Sequence, residues 1–476
     1  MMHNHEWPFV SVIVLNFNGL VFLERCLFSL EQLDYPRERL EVILVDNAST
    51  DGSVAFVRDR FPRAKIVQNE SNLGFAAGNN VGIRASKGRY IALLNNDTRV
   101  EKDWLTELVK VCEEDPSVGA CTSKILLFDD RLLIRLRTDP FKPSLVGIPQ
   151  DPRELGVLVE GASVRGPDGD RRVEFVEGFY PEDRVEDRVC RWSAGEAALS
   201  VPVKSGDRRL VLQLRLSNPR PYPLVPTPVS LSAGERRLSE LMTERGARLY
   251  EVPLGWDVLQ HARPVIQNAG SMILPDGSGR DRGAVVRDSQ QTFEPDCGQY
   301  DHVEEVFAAC GAGALYRRAM LEDVGLLDEY LFMYYEDTDL AWRARLKGWK
   351  IMYTPRAMMR HVHCGTSVEW SPFFLFHTYR NRLAMLLKNA PIRLVAREWT
   401  KYIASLVLIG LRICGRHLVM VGTSRLTPDF RERCRAMRSL VLELPDLCKK
   451  RRAIQRSRRI PDPDILRWMH APGTQE

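Results

Sequence analysis

Three acidic turns and one histidine carry the chemistry that this chain of 476 residues could perform. Asp46 lies within VDNASTDGS (45–53), directly after an apolar run. There a carboxylate can accept hydrogen bonds from the N–H of a nucleotide base or from sugar hydroxyls, while Ser49, Thr50 and Asp51 also read as the cap of a following helix. The segment LLNNDT (93–98) ends another apolar run in Asn95, Asn96 and Asp97. A short turn of this kind can offer one or two oxygens to Mg²⁺ or Mn²⁺ and leave the other positions to water and a diphosphate. It is equally the ordinary Asn/Asp turn that closes a strand.

The third turn is YYEDTDLAWRAR (334–345), with Glu336 and Asp337. One of these acids could act as a general base on an acceptor hydroxyl, or both could complement the dipole of a helix starting near Thr338. His361 follows in RHVHCGTS (360–367); it is a candidate ligand if a divalent ion lies near, and otherwise a structural residue. A glycine-rich stretch, NESNLGFAAGNNVG (69–82), supplies Asn72, Gly74, Gly78 and Asn79. Small residues there let backbone approach a ligand, or they make a turn into a helix.

Short β-branched runs at 10–15, 41–45, 65–67 and 90–94 must position these groups, with helical spacing at Phe22, Cys26, Leu27 and Leu30 and again at Trp104, Leu105, Leu108, Val109 and Cys112. Strands alternating with helices predict an α/β fold around a parallel sheet, which binds ligands at the carboxyl ends of its strands. From 131 to 264 the pattern changes to strands at 155–164, 172–176 and 209–216, with a proline-dense SNPRPYPLVPTP (217–228) and one helical stretch at 235–244. This predicts an inserted, mostly β, sandwich-like domain between two parts of one α/β domain, at 1–130 and 265–390. A helical, basic region follows at 391–476.

Hydrophobic residues at 44% and charged residues at 27% exclude wholesale disorder and a multi-span membrane protein. The net charge of +5 is uneven: 431–459 carries eleven Lys/Arg against three Asp/Glu, which points to an anionic surface as partner more than to nucleic acid. The ten cysteines lack metal-type spacing and read as reduced thiols in a cytosolic setting, and no signal peptide is visible before the first strand. The apolar stretch 402–421 is interrupted by Arg412, Arg416 and His417, which favours an interfacial or a buried helix over a spanning one.

In combination, VSVIVLNFNG (10–19), VDNASTDGS (45–53), NLGFAAGNNVGI (72–83), LLNNDT (93–98), GAGALYRR (311–318), VGLLDEYLFMYYEDTDLAWRARLKGWK (324–350) and YTPRAMMRHVHCGTS (353–367) resemble the family 2 glycosyltransferases, particularly their rhamnosyltransferase-like branch with the GT-A fold. The resemblance implies that Asn16 and Asp46 hold base and ribose, and that Asn72 and Gly78 line the nucleotide-sugar cleft. Asn95 and Asp97, with Asn96 between them, stand where the family's DxD motif binds metal and diphosphate; Asn replaces the first acid. Asp337, beside Glu336, matches the acid that deprotonates the acceptor. His361 matches a histidine that completes the metal shell in some relatives, whereas Arg380 and Asn381 in TYRN recur without an assigned role. The implied activity is an inverting transfer from a nucleotide-diphosphate sugar to a surface glycan or lipid-linked acceptor, using Mg²⁺ or Mn²⁺, in the cytoplasm or peripherally on the inner face of the plasma membrane. The competing class is a carbohydrate-binding scaffold that uses the inserted domain. A nucleotidyltransferase would want a lysine in NFNGLVF (16–22), and an NAD enzyme a GxGxxG after the first strand; neither is present.

Overall fold

A computed structural model describes residues 7–146, 151–185, 188–220, 225–287, 290–362, 370–419 and 428–469. Contacts divide the chain into two units: 1–128, 267–284 and 298–476 form one, and 129–266 with 285–297 form the other.

The first unit opens with β1 (Val10–Asn16), α1 (Leu20–Glu31), β2 (Leu40–Asp46), α2 (Ser53–Arg60), β3 (Lys65–Gln68), α3 (Gly74–Ala85), β4 (Tyr90–Asn95), β5 (Thr98–Val100), α4 (Trp104–Glu114) and β6 (Val118–Leu127). The strand order β3-β2-β1-β4 is parallel, and Gly313–Arg317 inserts antiparallel between β4 and β6. The chain therefore winds outward from β1 in one direction and then returns to its other side at β4. That reversal opens a crevice at the strand ends bearing Asn16 and Asn95. Up to their terminal asparagines β1 and β4 are apolar but for Ser11, because helices cover both faces; Val10, Val12 and Val14 pack with Leu23, Leu27, Trp104 and Leu108 in one core. On the other face α3 lies close, since a Cβ at Gly78 would sit 2.6 Å from Leu15 Cδ1.

Strand Lys350–His361 runs parallel to β6 and antiparallel to β5. Helix Pro372–Asn389 follows, started by Ser371, whose Oγ accepts from Phe374 N at 3.2 Å, with Pro372 in its first turn. Helices Ile392–Val419, Pro428–Leu442, Leu444–Ser457 and the short Asp462–Leu466 follow in the C-terminal part. Much of the basic cluster folds back here: Lys450 pairs with Asp328 at 2.9 Å, and Arg451 donates to the carbonyls of Leu387 and Ala390. The stretch 402–421 is helical through Val419; 420–421 and the side chains of Arg416 and His417 lie outside the described residues.

The second unit is antiparallel, in the order Arg236–Thr243, Thr227–Ala233, Asp130–Thr138, Arg188–Val203, Leu158–Gly166, Arg209–Ser217, Arg248–Gly255. Leu132, Ile134 and Leu136 point inward while Leu133, Arg135 and Arg137 face solvent, the alternation of a sheet with one covered face. The helix expected at 235–244 is instead the strand Arg236–Thr243, paired with Thr227–Ala233 around Gly234 at φ +57°. Its ladder and the burial of Leu241 and Thr243 outweigh a charge pattern that mimics helical spacing. Val265 and Ile266 pair with Pro295 and Glu294, so this unit draws in a second stretch of chain. Residues 221–224 of the proline-dense segment lie outside the described residues.

Candidate functional site

The parallel register sets Asn16 beside Asp46 at the ends of β1 and β2. Asn16 Nδ2 donates to Asp46 Oδ2 at 3.0 Å, and Asn96 Nδ2 donates to Asn16 Oδ1 at 2.7 Å, a chain of side chains across three strand ends. The other Asp46 oxygen accepts from Ser49 N at 2.9 Å. Gly19 is required alongside, because a Cβ there would fall onto Asn96 Nδ2. The glycine-rich turn is tied by its amides: Asn72 Oδ1 accepts from Gly74 N at 2.9 Å, and Asn47 Nδ2 donates to Gly74 O at 3.0 Å. Asn72 is thus exposed at the turn and shapes it, whereas Gly78 faces Leu15 and Asn47 and permits close packing of α3 on the sheet.

Strand pairing brings His361 opposite Thr98 and so next to Asp97. His361 Nε2 is 3.1 Å from Asp97 Oδ1 and 3.3 Å from Asn95 Nδ2, while Nδ1 is 3.0 Å from Gln267 Oε1. An amide oxygen accepts only, so Nδ1 donates to Gln267, which turns Nε2 towards Asp97. Asp97 is buried, and its Oδ1 has no properly aligned hydrogen-bond donor among the described residues. Two cis ligands of an octahedral ion at about 2.1 Å stand about 3 Å apart, so this orphaned oxygen and this nitrogen suit one divalent cation. The remaining positions would fall to water and diphosphate oxygens, since no group of three or more His, Cys, Asp or Glu side chains with metal-binding geometry occurs among the described residues. Gln267 was not apparent from the sequence, because it lies 94 residues from its partner in a segment without a motif.

Helix Glu336–Leu346 starts two residues before Thr338, which places Glu336 and Asp337 in its first turn. Asp337 Oδ2 accepts from Gly311 N at 3.2 Å, and Oδ1 accepts from Thr338 N at 2.6 Å. Gly311 is adjacent to Ala312, whose carbonyl accepts from Asn95 N at 3.0 Å. That short bridge connects the Asp337 carboxylate to the end of β4, the strand that leads into Asp97. Burial raises the Asp337 carboxyl above its ordinary range against the hydrogen bonds from Gly311 and Thr338, which lower it. Glu336 is pushed further up, first by burial and then by the charge of Asp337, and its Oε2 is buried without a hydrogen-bond partner among the described residues. Two adjacent acids with unequal environments separate naturally into one that ionises and one that stays protonated.

The residues before this helix are bent unusually, with φ of +63° at Phe332, +72° at Tyr334 and +68° at Tyr335. Asn381 and Arg380 hold them: Asn381 Nδ2 donates to the carbonyls of Leu331, Met333 and Tyr334 at 2.8 Å each, and Arg380 Nη2 donates to Tyr330 O at 2.9 Å. Phe332 O in turn accepts from Phe75 N at 2.7 Å and Ala76 N at 3.0 Å, joining the bend to the glycine-rich turn. The TYRN segment therefore fastens the loop that leads into Asp337.

Two family models match the chain, Glycosyl transferase family 2 over residues 11–167 and Glycosyltransferase like family 2 over residues 293–382. Among curated relatives, glycosyltransferase AglE of Haloferax volcanii is 33% identical over 101 residues, 21% of this chain and 33% of that protein. Putative teichuronic acid biosynthesis glycosyltransferase TuaG of Bacillus subtilis is 30% identical over 126 residues, 26% of this chain and 49% of that protein. The chain spans only 33% to 36% of the length of AglE and two other curated relatives it matches. Solved structures similar to it include S. aureus TarS 1-349 with UDP-GlcNAc, at 26% identity and TM-score 0.24 over 25% of this chain and 34% of the other. The mannosyltransferase PcManGT from Pyrobaculum calidifontis, in complex with GDP-Man and Mn²⁺, is 14% identical with TM-score 0.36 over 97% of this chain and 79% of the other.

Proposed function

From the membership of this chain in glycosyl transferase family 2, we propose that it is an inverting transferase moving a sugar, rhamnose or a similar hexose, from a nucleotide-diphosphate donor to a glycan or lipid-linked acceptor of the cell surface. The observation that carries this reading is the bridge Asp337–Gly311–Ala312–Asn95, which brings a carboxylate of raised pKa to the strand end holding Asp97 and His361. TuaG, named for teichuronic acid biosynthesis, supports a cell-surface polysaccharide as acceptor.

Asp46, aligned by Asn16 and Ser49, accepts hydrogen bonds from the base or ribose of the donor, and the turn at Asn72–Gly74 encloses the nucleotide. Asp97 and His361 would hold Mg²⁺ or Mn²⁺, with Asn95 and Asn96 beside the diphosphate. When bound, the cation neutralises charge on the departing diphosphate. Asp337 takes the proton of the acceptor hydroxyl as that oxygen attacks the anomeric carbon from the face opposite the leaving group, which inverts the configuration. Glu336, held protonated, leaves Asp337 as the single base. Alignment of donor and acceptor by the fixed loop 332–335 supplies much of the rate.

The test is a screen of nucleotide sugars by thermal stabilisation, with and without Mn²⁺. A binding donor at 100 times its dissociation constant stabilises by about 2.7 kcal/mol. A donor that stabilises, and that is consumed in the presence of acceptor, supports the reading; no stabilisation by any nucleotide sugar at millimolar concentration contradicts it.

A further inference from the structure

Helix Ile392–Val419 has two unlike faces. Leu394, Val395, Glu398 and Tyr402 are buried, and Tyr402 Oη donates to Arg433 O at 3.0 Å, which fixes how the helix is rotated. The face this leaves outward is apolar: Ile403, Val407, Leu408 and Leu411 are 48%, 55%, 57% and 63% exposed. At 100° per residue these four, with the exposed Ala404, span about 140° of the helix surface. No charge occurs from Tyr402 to Leu411, and Lys401 and Arg412 stand at the two ends. The preceding turns present Arg393 and Arg397 on the same side as the apolar residues. Three cations (Arg382, Arg397 and Lys401) pair with Glu398, and Arg382 also with Asp276, so three positive charges face two carboxylates and the rim keeps positive charge.

We infer that this face is a membrane-docking surface, and that its partner is the headgroup and upper acyl region of an anionic bilayer. Length decides against crossing: ten uncharged residues cover about 15 Å, half of a hydrocarbon core of about 30 Å. No helix among the described residues is long and apolar enough to span. Charge decides against a second copy of the chain. Two-fold pairing of this face would bring the cations of its ends, Lys401, Arg412 and Arg393, against one another, and the chain from 399 to 428 supplies no acid to separate them. Anionic headgroups complement the same rim, with the aliphatic side chains below it and the charges reaching up, the arrangement of an interfacial helix. The surface thereby differs from the basic cluster at 431–459, whose Lys450 and Arg451 are engaged within the fold. It also explains four large aliphatic side chains left in water on one helix.

The test is co-sedimentation of the full chain with vesicles of phosphatidylethanolamine and phosphatidylglycerol, in parallel with pure phosphatidylcholine. Wild type is expected to pellet with the anionic vesicles, to do so less with phosphatidylcholine, and to be released at high salt. Val407→Asp with Leu411→Asp is expected to lower the bound fraction at least tenfold while the circular dichroism spectrum and melting midpoint stay unchanged. Arg393→Glu with Arg412→Glu, which spares the apolar residues, is expected to abolish the preference for anionic lipid. Wild type remaining in solution with both vesicles, or the aspartate variant pelleting as wild type does, overturns the inference. So does a wild-type dimer in sedimentation equilibrium that the aspartate variant converts to monomer without any vesicle binding.

Discussion

Asn381 Nδ2 donates to the Tyr334 carbonyl at 2.8 Å, across 47 residues of chain, while Tyr334 itself sits at φ +72°. The same nitrogen serves Leu331 and Met333, and the residue is fully buried. Positive φ costs a non-glycine residue about 1–3 kcal/mol and persists only when neighbours over-determine it. Asn381 is one such neighbour, and the loop it holds leads directly into Glu336 and Asp337.

Asn381→Ala therefore removes the donor that these three carbonyls share, at about 1–3 kcal/mol of stability. Turnover is expected to fall roughly 10–100-fold through misplacement of Asp337. Hydrogen exchange at 332–335 should rise while exchange in β1 and β4 stays as in wild type. Equal protection at 332–335 in the two proteins would remove the positioning role.

Gln267 acts on His361 in a comparable manner, by accepting a hydrogen bond from Nδ1 at 3.0 Å and so turning Nε2 towards Asp97. Partners of this kind are worth about 10–100-fold in metal affinity. Gln267→Ala is expected to weaken Mn²⁺ binding in calorimetry by that factor, with Asp97→Ala and His361→Ala weaker still. Unchanged Mn²⁺ affinity in all three variants would place any cation elsewhere.

Glu336 provides a pH test whose sign is fixed. Its folded pKa is raised well above the ordinary 4.5, so an unfolded chain releases this proton first as pH rises. Stability from this group is therefore complete below about pH 4.5 and is lost progressively as pH climbs towards the folded value. Glu336→Gln removes that loss. The variant is expected to melt higher than wild type at pH 8, with the difference shrinking as pH falls to 4, and to keep substantial turnover. A difference that grows on acidification would contradict a protonated Glu336.

The boundaries of the second unit make a further prediction. Deleting 131–264 alone removes most of the unit with which residues 285–297 are grouped by contact, leaving of it only Val265 and Ile266 to pair with Pro295 and Glu294. A variant lacking 131–264 should be less soluble than one that also replaces 285–297 by a short linker, and the latter should retain donor binding. Loss of donor binding in a folded protein lacking both segments would show that the second unit takes part in the donor site.

The strands that bear the site were legible because a buried parallel strand is a nearly unbroken apolar run, and VSVIVL and YIALL are such runs. Asp97 was legible in the polar turn that ends YIALL, and Asp46 as the acid that ends EVILV. The bond between Asn381 and the 331–334 carbonyls was not, because a hydrogen bond to backbone leaves no trace in the type of the partner residue. Gln267 was hidden likewise, and the strand Arg236–Thr243 read as a helix because its charges three and four apart match the helical period, while its pairing with Thr227–Ala233 is not written in its own residues.

The central claim is that Asp337 removes the acceptor proton at the strand end that carries Asp97 and His361. The most direct measurement is turnover of Asp337→Asn beside its donor affinity. The account predicts a loss of about 10²–10⁴-fold in kcat with donor Kd nearly unchanged, and in wild type an acidic limb of kcat/KM lying above the ordinary aspartate range. Full turnover by Asp337→Asn, in a protein that binds donor normally, would contradict it.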